Sequence, residues 1–262
     1  MKESVTFIPV KMGKITVYIK PATSDKTPLI LLHGVYFDHH LWHQVIDSIE
    51  DRTVITLDMP WHGHSRQITK DDWTLDDCAD MLLELLDHLQ INKIIAVGHS
   101  WGSMTILRAA IKRPEQFASI GLCNMPFQAA SATKKFTMRL QHTLLVFRDF
   151  YTRQAAKALF GPSSRKQNPD LFNQLKRPMD ILTNKQVRHT DKAVIMYAED
   201  ASEFIKNLKV PAVALKGEED YVPAPPGIET ILVKGGHVSP LENPGSLLTF
   251  IHDLSPSPIL PV

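Results

Sequence analysis

The sequence predicts an open, doubly wound α/β sheet, and three observations carry that expectation. Short apolar runs rich in β-branched residues recur along the chain, each followed by a loop of turn formers. Stretches with apolar residues at helical spacing stand between them, so the order strand, loop, helix repeats. The run Ile94-Ile95-Ala96-Val97 stops at Gly98-His99-Ser100-Trp101-Gly102, and a helical pattern begins at once. A strand that reverses into a helix within so few residues needs small neighbours. It also forces the central serine into a strained conformation with its hydroxyl in the open.

The first two strands, residues 5–10 and 14–20, alternate around Met12-Gly13 and read as an antiparallel hairpin. Pro28-Leu29-Ile30-Leu31-Leu32 is near-continuously apolar, which suits a central strand buried on both faces, and it ends in His33-Gly34-Val35-Tyr36-Phe37-Asp38. Val54-Ile55-Thr56-Leu57 is the next strand, ending at Asp58-Met59-Pro60-Trp61-His62-Gly63-His64-Ser65. Residues 74–90 form a crossover helix with Thr74 as its cap and acidic residues in its first turns. Residues 105–113 continue the helix behind Ser100 as far as Pro114, and 117–123 is a further strand. After Asn124-Met125-Pro126 the strand alternation disappears. Residues 127–207 read as a helical insertion, and Lys134, Lys135, Arg139, Arg165 and Lys166 read as its solvated faces. Strand patterns resume at 210–215 and 230–233, a short helix covers 246–252, and Ser255-Pro256-Ser257-Pro258 reads as a frayed tail. The resulting parts are a core of 1–126 and 208–262 with the insertion 127–207 between them.

Composition narrows the classes. A chain of 262 residues, 44% hydrophobic and 22% charged, has the make-up of an ordinary globular protein large enough for one α/β core with an insertion. A net charge of +1 without a dense basic tract gives no reason to expect nucleic acid. The first residues lack the apolar block of a secretory signal and no run reaches the length of a bilayer span, so a cytoplasmic location without a membrane span is expected. Cys78 and Cys123 stand alone, which suggests buried thiols rather than a disulfide framework or a zinc site. Nothing in the sequence speaks to oligomeric state.

Ligands and catalytic groups collect outside the carboxyl ends of strands in open α/β sheets. Those places hold Ser100, then Gly217-Glu218-Glu219-Asp220-Tyr221-Val222-Pro223, then Gly235-Gly236-His237-Val238. Five motifs therefore stand in order: His33-Gly34 followed by Trp42, Asp58-x-Pro60-x-His62-Gly63-x-Ser65, Gly98-x-Ser100-x-Gly102, Gly217-x-x-Asp220-x-x-Pro223, and Gly236-His237 followed by Glu242-x-Pro244. Together they resemble the α/β-hydrolase family, specifically the capped branch of small serine esterases, lactonases, proline iminopeptidases, carbon-carbon hydrolases and cofactor-free haloperoxidases. The resemblance covers nearly the whole chain outside the insertion. It implies a mostly parallel sheet of about eight strands with a helical cap, Ser100 as nucleophile, His237 as base and Asp220 as the orienting acid. It also implies an oxyanion hole from the amides of Val35 and Trp101. Glu218 and Glu219 flank Asp220, which its offset from Gly217 and Pro223 selects. The acid position that some relatives use after the strand ending at Cys123 holds Asn124.

The expected reaction is cleavage of a small carboxylic ester or lactone, a small-molecule acyl substrate, through an acyl-enzyme on Ser100, with neither metal nor cofactor required. Carbon-carbon hydrolysis and perhydrolase chemistry are alternatives on the same triad, and a ligand-binding module without turnover is the non-enzymatic one. Serine in place of aspartate argues against dehalogenase and epoxide hydrolase activity. Gly34-Val35-Tyr36 replaces the Gly-Gly-Pro loop of proline iminopeptidases, although Trp101-Gly102-Ser103 is shared with them. Trp61 stands where many relatives have glycine. Loop position places Tyr36, Phe37, Trp42, Met125, Phe127 and Val238 near the substrate pocket. His33, His62, His64 and His99 are expected to hold loop conformation. His39, His40 and His43 have metal-like spacing but no carboxylate or cysteine in a ligand pattern, and read as surface or pocket-rim histidines.

Overall fold

The computed structural model describes residues 3–254, so the 255–258 stretch lies outside the described residues. Eight strands form one sheet: β1 (Ser4–Val10), β2 (Gly13–Lys20), β3 (Leu29–Leu32), β4 (Val54–Leu57), β5 (Ile94–His99), β6 (Phe117–Cys123), β7 (Ala212–Gly217) and β8 (Glu229–Val233). Their spatial order is β1-β2-β4-β3-β5-β6-β7-β8. The β1–β2 hairpin is antiparallel and β2 meets β4 antiparallel, while every pairing from β4 to β8 is parallel. This mostly parallel sheet is the fold class that the sequence predicts. Every residue of β3, β4 and β5 is buried, as expected for strands covered by helices on both faces. Each large aliphatic side chain buried there contributes about 1.5–3 kcal/mol.

Helices pack on the sheet in the order the pattern predicts. After a 3-10 turn at His39–Trp42, α1 (His43–Ile46) is short. In α2 (Leu75–His88) Thr74 closes a capping box with Asp77: the Asp77 amide donates to the Thr74 hydroxyl, and the Thr74 amide donates to the Asp77 carboxylate. The helix after Ser100, α3 (Trp101–Lys112), starts at Trp101, four residues before the periodic signal, because its first turn lies beneath the strained serine.

Between β6 and β7 the chain is helical: α4 (Ala132–Thr143), α5 (Arg148–Leu159), α6 (Pro162–Gln167), α7 (Leu171–Ile181), α8 (Asn184–Thr190), a wide π-helical turn over Asp191–Met196, and α9 (Ser202–Lys206). Two last helices, α10 (Ser239–Glu242) and α11 (Pro244–Asp253), follow β8. Both cysteines are buried and free. Among the described residues, no helix is long and apolar enough to cross a membrane.

Candidate active site

The turn from β5 to α3 sets the site. Ser100 has φ 50° and ψ −109°, a conformation that an L residue adopts only when its surroundings impose it. The glycines on either side are what permit this. A side chain at Gly98 would collide with the backbone of Gly102 and Ser103, and one at Gly102 would collide with the Leu32 carbonyl of β3. The Ser100 amide is anchored on the Cys123 carbonyl (2.8 Å), and the Ser103 hydroxyl closes the turn on the Gly98 carbonyl (2.6 Å).

Loops from β7 and β8 bring the distant partners to this serine. His237 Nε2 lies 3.0 Å from Ser100 Oγ, and His237 Nδ1 lies 2.9 Å from Asp220 Oδ1. A carboxylate only accepts, so Nδ1 carries the proton and Nε2 presents its lone pair to the serine hydroxyl. Ser100 is 5% exposed and His237 2%, so the relay is shielded from bulk water. Burial by itself would raise the Asp220 pKa. Hydrogen bonds from His237, from Asn124 Nδ2 (2.9 Å) and from the Val222 amide (3.0 Å) outweigh it and hold the carboxyl below its ordinary range. Asn124, at φ 50° beyond β6, therefore supports the acid as a hydrogen-bond donor from the end of a different strand. Glu218 and Glu219 lie apart from the relay: Glu218 is exposed, and Glu219 accepts from the Ser163 hydroxyl (2.5 Å).

The loop that carries His237 is clamped by Glu242. Its Oε1 accepts from the amides of Gly236 (2.8 Å) and Gly161 (2.8 Å), and its Oε2 from that of Val238 (2.8 Å). Glu242 is visible in the sequence as a motif residue, but its role as a clamp on three amides is set by tertiary structure.

Across the serine, the amides of Val35 and Trp101 find no acceptor among the described residues. Three neutral histidines fix the loops around them. His33 Nδ1 donates to the Gly34 carbonyl (2.7 Å) and its Nε2 accepts from the Met59 amide (2.9 Å). His62 Nδ1 donates to the Pro60 carbonyl (2.9 Å) and its Nε2 accepts from the Tyr36 amide (3.2 Å). His99 Nε2 donates to the His237 carbonyl (2.7 Å). Burial leads the causes that lower all three pKa values, His62 and His99 both to about 3. Asp58 draws His39, Tyr18 and the His64 amide together at 2.8–2.9 Å.

A cavity of about 550 Å³ lies beside the relay, lined mainly by α4 and α5, with Tyr36, Lys134, Met138, Gln141, Tyr151 and Tyr221 among its walls. Tyr221 stacks on the His237 ring (centroids 4.9 Å apart), which joins cavity and relay. Of the six residues that loop position places near a pocket, Tyr36 lines this cavity. Phe37 instead faces a separate cleft with Asp38, His40 and Arg177. Trp42 and Val238 are fully enclosed, and Met125 and Phe127 are buried in the core. None of these four lines the cavity, whose walls come mainly from α4 and α5. Lys134, expected on a solvated face, lies over the Tyr221 ring at 5.3 Å and joins the cavity lining.

One buried network had no sequence signal. Asp191, 0% exposed in the π-helical turn, accepts from the hydroxyls of Tyr36 and Tyr151 (2.8 Å for the latter) and from His142 Nε2 (2.8 Å). Burial, followed by the Asp191 charge, keeps both tyrosines protonated as donors. Tyr36 has φ 69° and follows Val35 directly, so the network reaches the backbone at the serine.

A serine at positive φ between a central strand and a helix, with a histidine and a carboxylate brought to it from later strand ends, places the chain among open α/β proteins with a sharp strand–turn–helix elbow. The chain belongs to the alpha/beta hydrolase fold family, whose model matches residues 27–222. It is similar to the uncharacterized hydrolase YugF of Bacillus subtilis, 25% identical over 244 residues that make up 86% of this chain and 88% of that protein. It spans less than half the length of several other curated relatives that it matches. Among solved structures, the enol-lactonase from Burkholderia xenovorans LB400 is 18% identical over 95% of this chain and 99% of that one, with a TM-score of 0.84. A thermophilic esterase from Thermogutta terrifontis is 21% identical over 95% and 97%, with a TM-score of 0.81. These two likenesses extend the fold assignment over almost the whole chain.

Proposed function

We propose that this protein is a serine hydrolase that cleaves a small carboxylic ester or lactone through an acyl-enzyme on Ser100. The observation that carries the reading is the relay of 3.0 Å and 2.9 Å from Ser100 through His237 to Asp220, built on a serine at φ 50°. In this mechanism His237 takes the Ser100 proton as Oγ attacks the acyl carbonyl, while Asp220 holds the imidazole and stabilises its charged form. The amides of Val35 and Trp101 receive the oxyanion, and one such donor is worth about 3 kcal/mol in the transition state. His237 then protonates the leaving alkoxide, and water enters by the same route to free Ser100.

Residues 127–207 act as a cap, since α4 and α5 supply most of the cavity wall over the relay. An esterase and a lactonase among the fold neighbours support the choice of acyl substrate. A fluorophosphonate probe tests the reading: it labels the wild type and not Ser100→Ala. A folded wild type that stays unlabelled overturns it. Turnover of p-nitrophenyl esters or lactones, set against vinylogous diketones and peroxide-dependent oxidation, then separates ester cleavage from carbon-carbon and perhydrolase chemistry.

A further inference from the structure

The chemistry at Ser100 leaves a second group of histidines unused. His39, His40 and His43 stand together where the loop after β3 enters the 3-10 turn and α1, and one ring nitrogen from each lies within 4.8 Å of the others. The rings of His39 and His40 are 4.0 Å apart and those of His40 and His43 are 4.4 Å apart. The sequence spacing has no carboxylate among the would-be ligands, but the fold places one behind each of two rings. His39 Nδ1 lies 2.8 Å from Asp58 Oδ1, and His40 Nδ1 lies 2.9 Å from Asp38 Oδ1. Because a carboxylate can only accept, both Nδ1 atoms carry hydrogen and both Nε2 lone pairs are left available in the neutral rings. Histidines that bind metals are oriented in this way, with a carboxylate on the far nitrogen fixing the tautomer and strengthening the near one.

We propose that His39, His40 and His43 form a binding site for one divalent late transition metal ion of the zinc class. Imidazole donors suit zinc, copper and nickel rather than calcium or magnesium, which prefer oxygen. Three histidines leave a fourth tetrahedral position for water, and His43 is exposed while His39 is buried, so the site opens outward. Binding at the usual zinc–nitrogen distance of about 2.0–2.1 Å draws the three nitrogens inward from their present separation, so the His39 and His40 rings, now tilted 39° to each other, turn together with the exposed side chain of His43. Nothing among the described residues hydrogen-bonds to Nε2 of His39 or His40, or to either ring nitrogen of His43.

The surrounding charges suit a dication. Asp38 and Asp58 provide two carboxylates, Tyr18 stacks on His39 at 3.6 Å, His64 lies beyond Tyr18, and Arg177 is the cation sharing the cleft with His40. The site begins two residues after Phe37, on the loop that carries Val35, but its chemistry is independent of the Ser100 relay.

The test is calorimetric titration of tag-free, chelator-treated protein with Zn²⁺, and absorption spectroscopy with Co²⁺ as a coloured substitute. The expected result is one Zn²⁺ per chain, visible Co²⁺ bands of low symmetry and a rise in Tm on adding Zn²⁺. The His40→Ala/His43→Ala variant, shown to be folded by circular dichroism, should bind at least tenfold more weakly and lose the Tm rise. Asp38→Asn should weaken binding roughly ten- to a hundredfold. If the double variant does not fold, His43→Ala alone gives the reading, since that side chain is exposed. Absence of one-to-one binding in the wild type, or binding unchanged in the histidine variants, overturns the proposal.

Discussion

Acid should weaken this protein through His99, and the size of the effect follows from its surroundings. His99 Nε2 donates to the His237 carbonyl, while its Nδ1 is buried with no partner and packs towards Gly34. Protonation would place a charge and an unmatched N–H at that point. Burial, helped by the nearby His237 ring, pushes the pKa from 6.5 down to about 3. The unfolded chain binds this proton through that interval and the folded chain does not, so the unfolded state gains as pH falls. Stability is intact above about pH 6.5, declines below it, and continues to decline until about pH 3. At pH 5 the loss from this one group is about 2 kcal/mol. The substitution His99→Gln would keep a side-chain donor for the carbonyl and remove the titration. Urea unfolding of the wild type and His99→Gln at pH 7 and pH 5 gives four free energies. The wild type should lose about 2 kcal/mol more between the two pH values than the variant does. Titrating groups common to both proteins, His62 among them, cancel in that comparison. An equal loss in the two proteins would refute the reasoning.

Four further variants test the site and the buried network beside it. Asp220→Asn should lower kcat by about 10⁴ because the imidazole loses its tautomer, whereas Glu218→Gln should leave kcat near the wild-type value, which steady-state ester hydrolysis distinguishes. Asp191→Asn should destabilise the fold by about 2–4 kcal/mol, since three buried donors lose a charged acceptor, while Tyr36→Phe should cost about 1 kcal/mol; urea unfolding measures both.

Legibility in the sequence tracked the range of the interaction. The strands were readable because burial on both faces writes a continuous apolar run, as in Leu29–Leu32, and the end of each run located a loop. Ser100 and His237 stand out because glycines flank them, and glycine marks places where backbone approaches too closely for a side chain, as at Gly98, Gly102 and Gly236. Apart from Tyr36, the cavity walls are not readable, because they depend on how α4 and α5 lie over the sheet, which periodicity does not encode. Asp191 illustrates the limit: in a segment rich in charge it looks like any solvated acid, and only packing reveals three donors converging on it. Asn124 could be excluded as an acid from sequence, but its service as a donor to Asp220 required the strand order.

The bond between Tyr36 and Asp191 bears on how this scaffold can be re-engineered. Helical segments of such proteins invite exchange as cassettes, to transplant one specificity onto another core. Here the cassette and the core share a lock, because Tyr36 belongs to the loop after β3 and its hydroxyl is held by a residue of the segment. A grafted 127–207 segment without an acceptor at the place of Asp191 would leave a buried phenol unmatched beside Val35. Recombination at these boundaries therefore has to carry Tyr36 and Asp191 as a pair, or replace both.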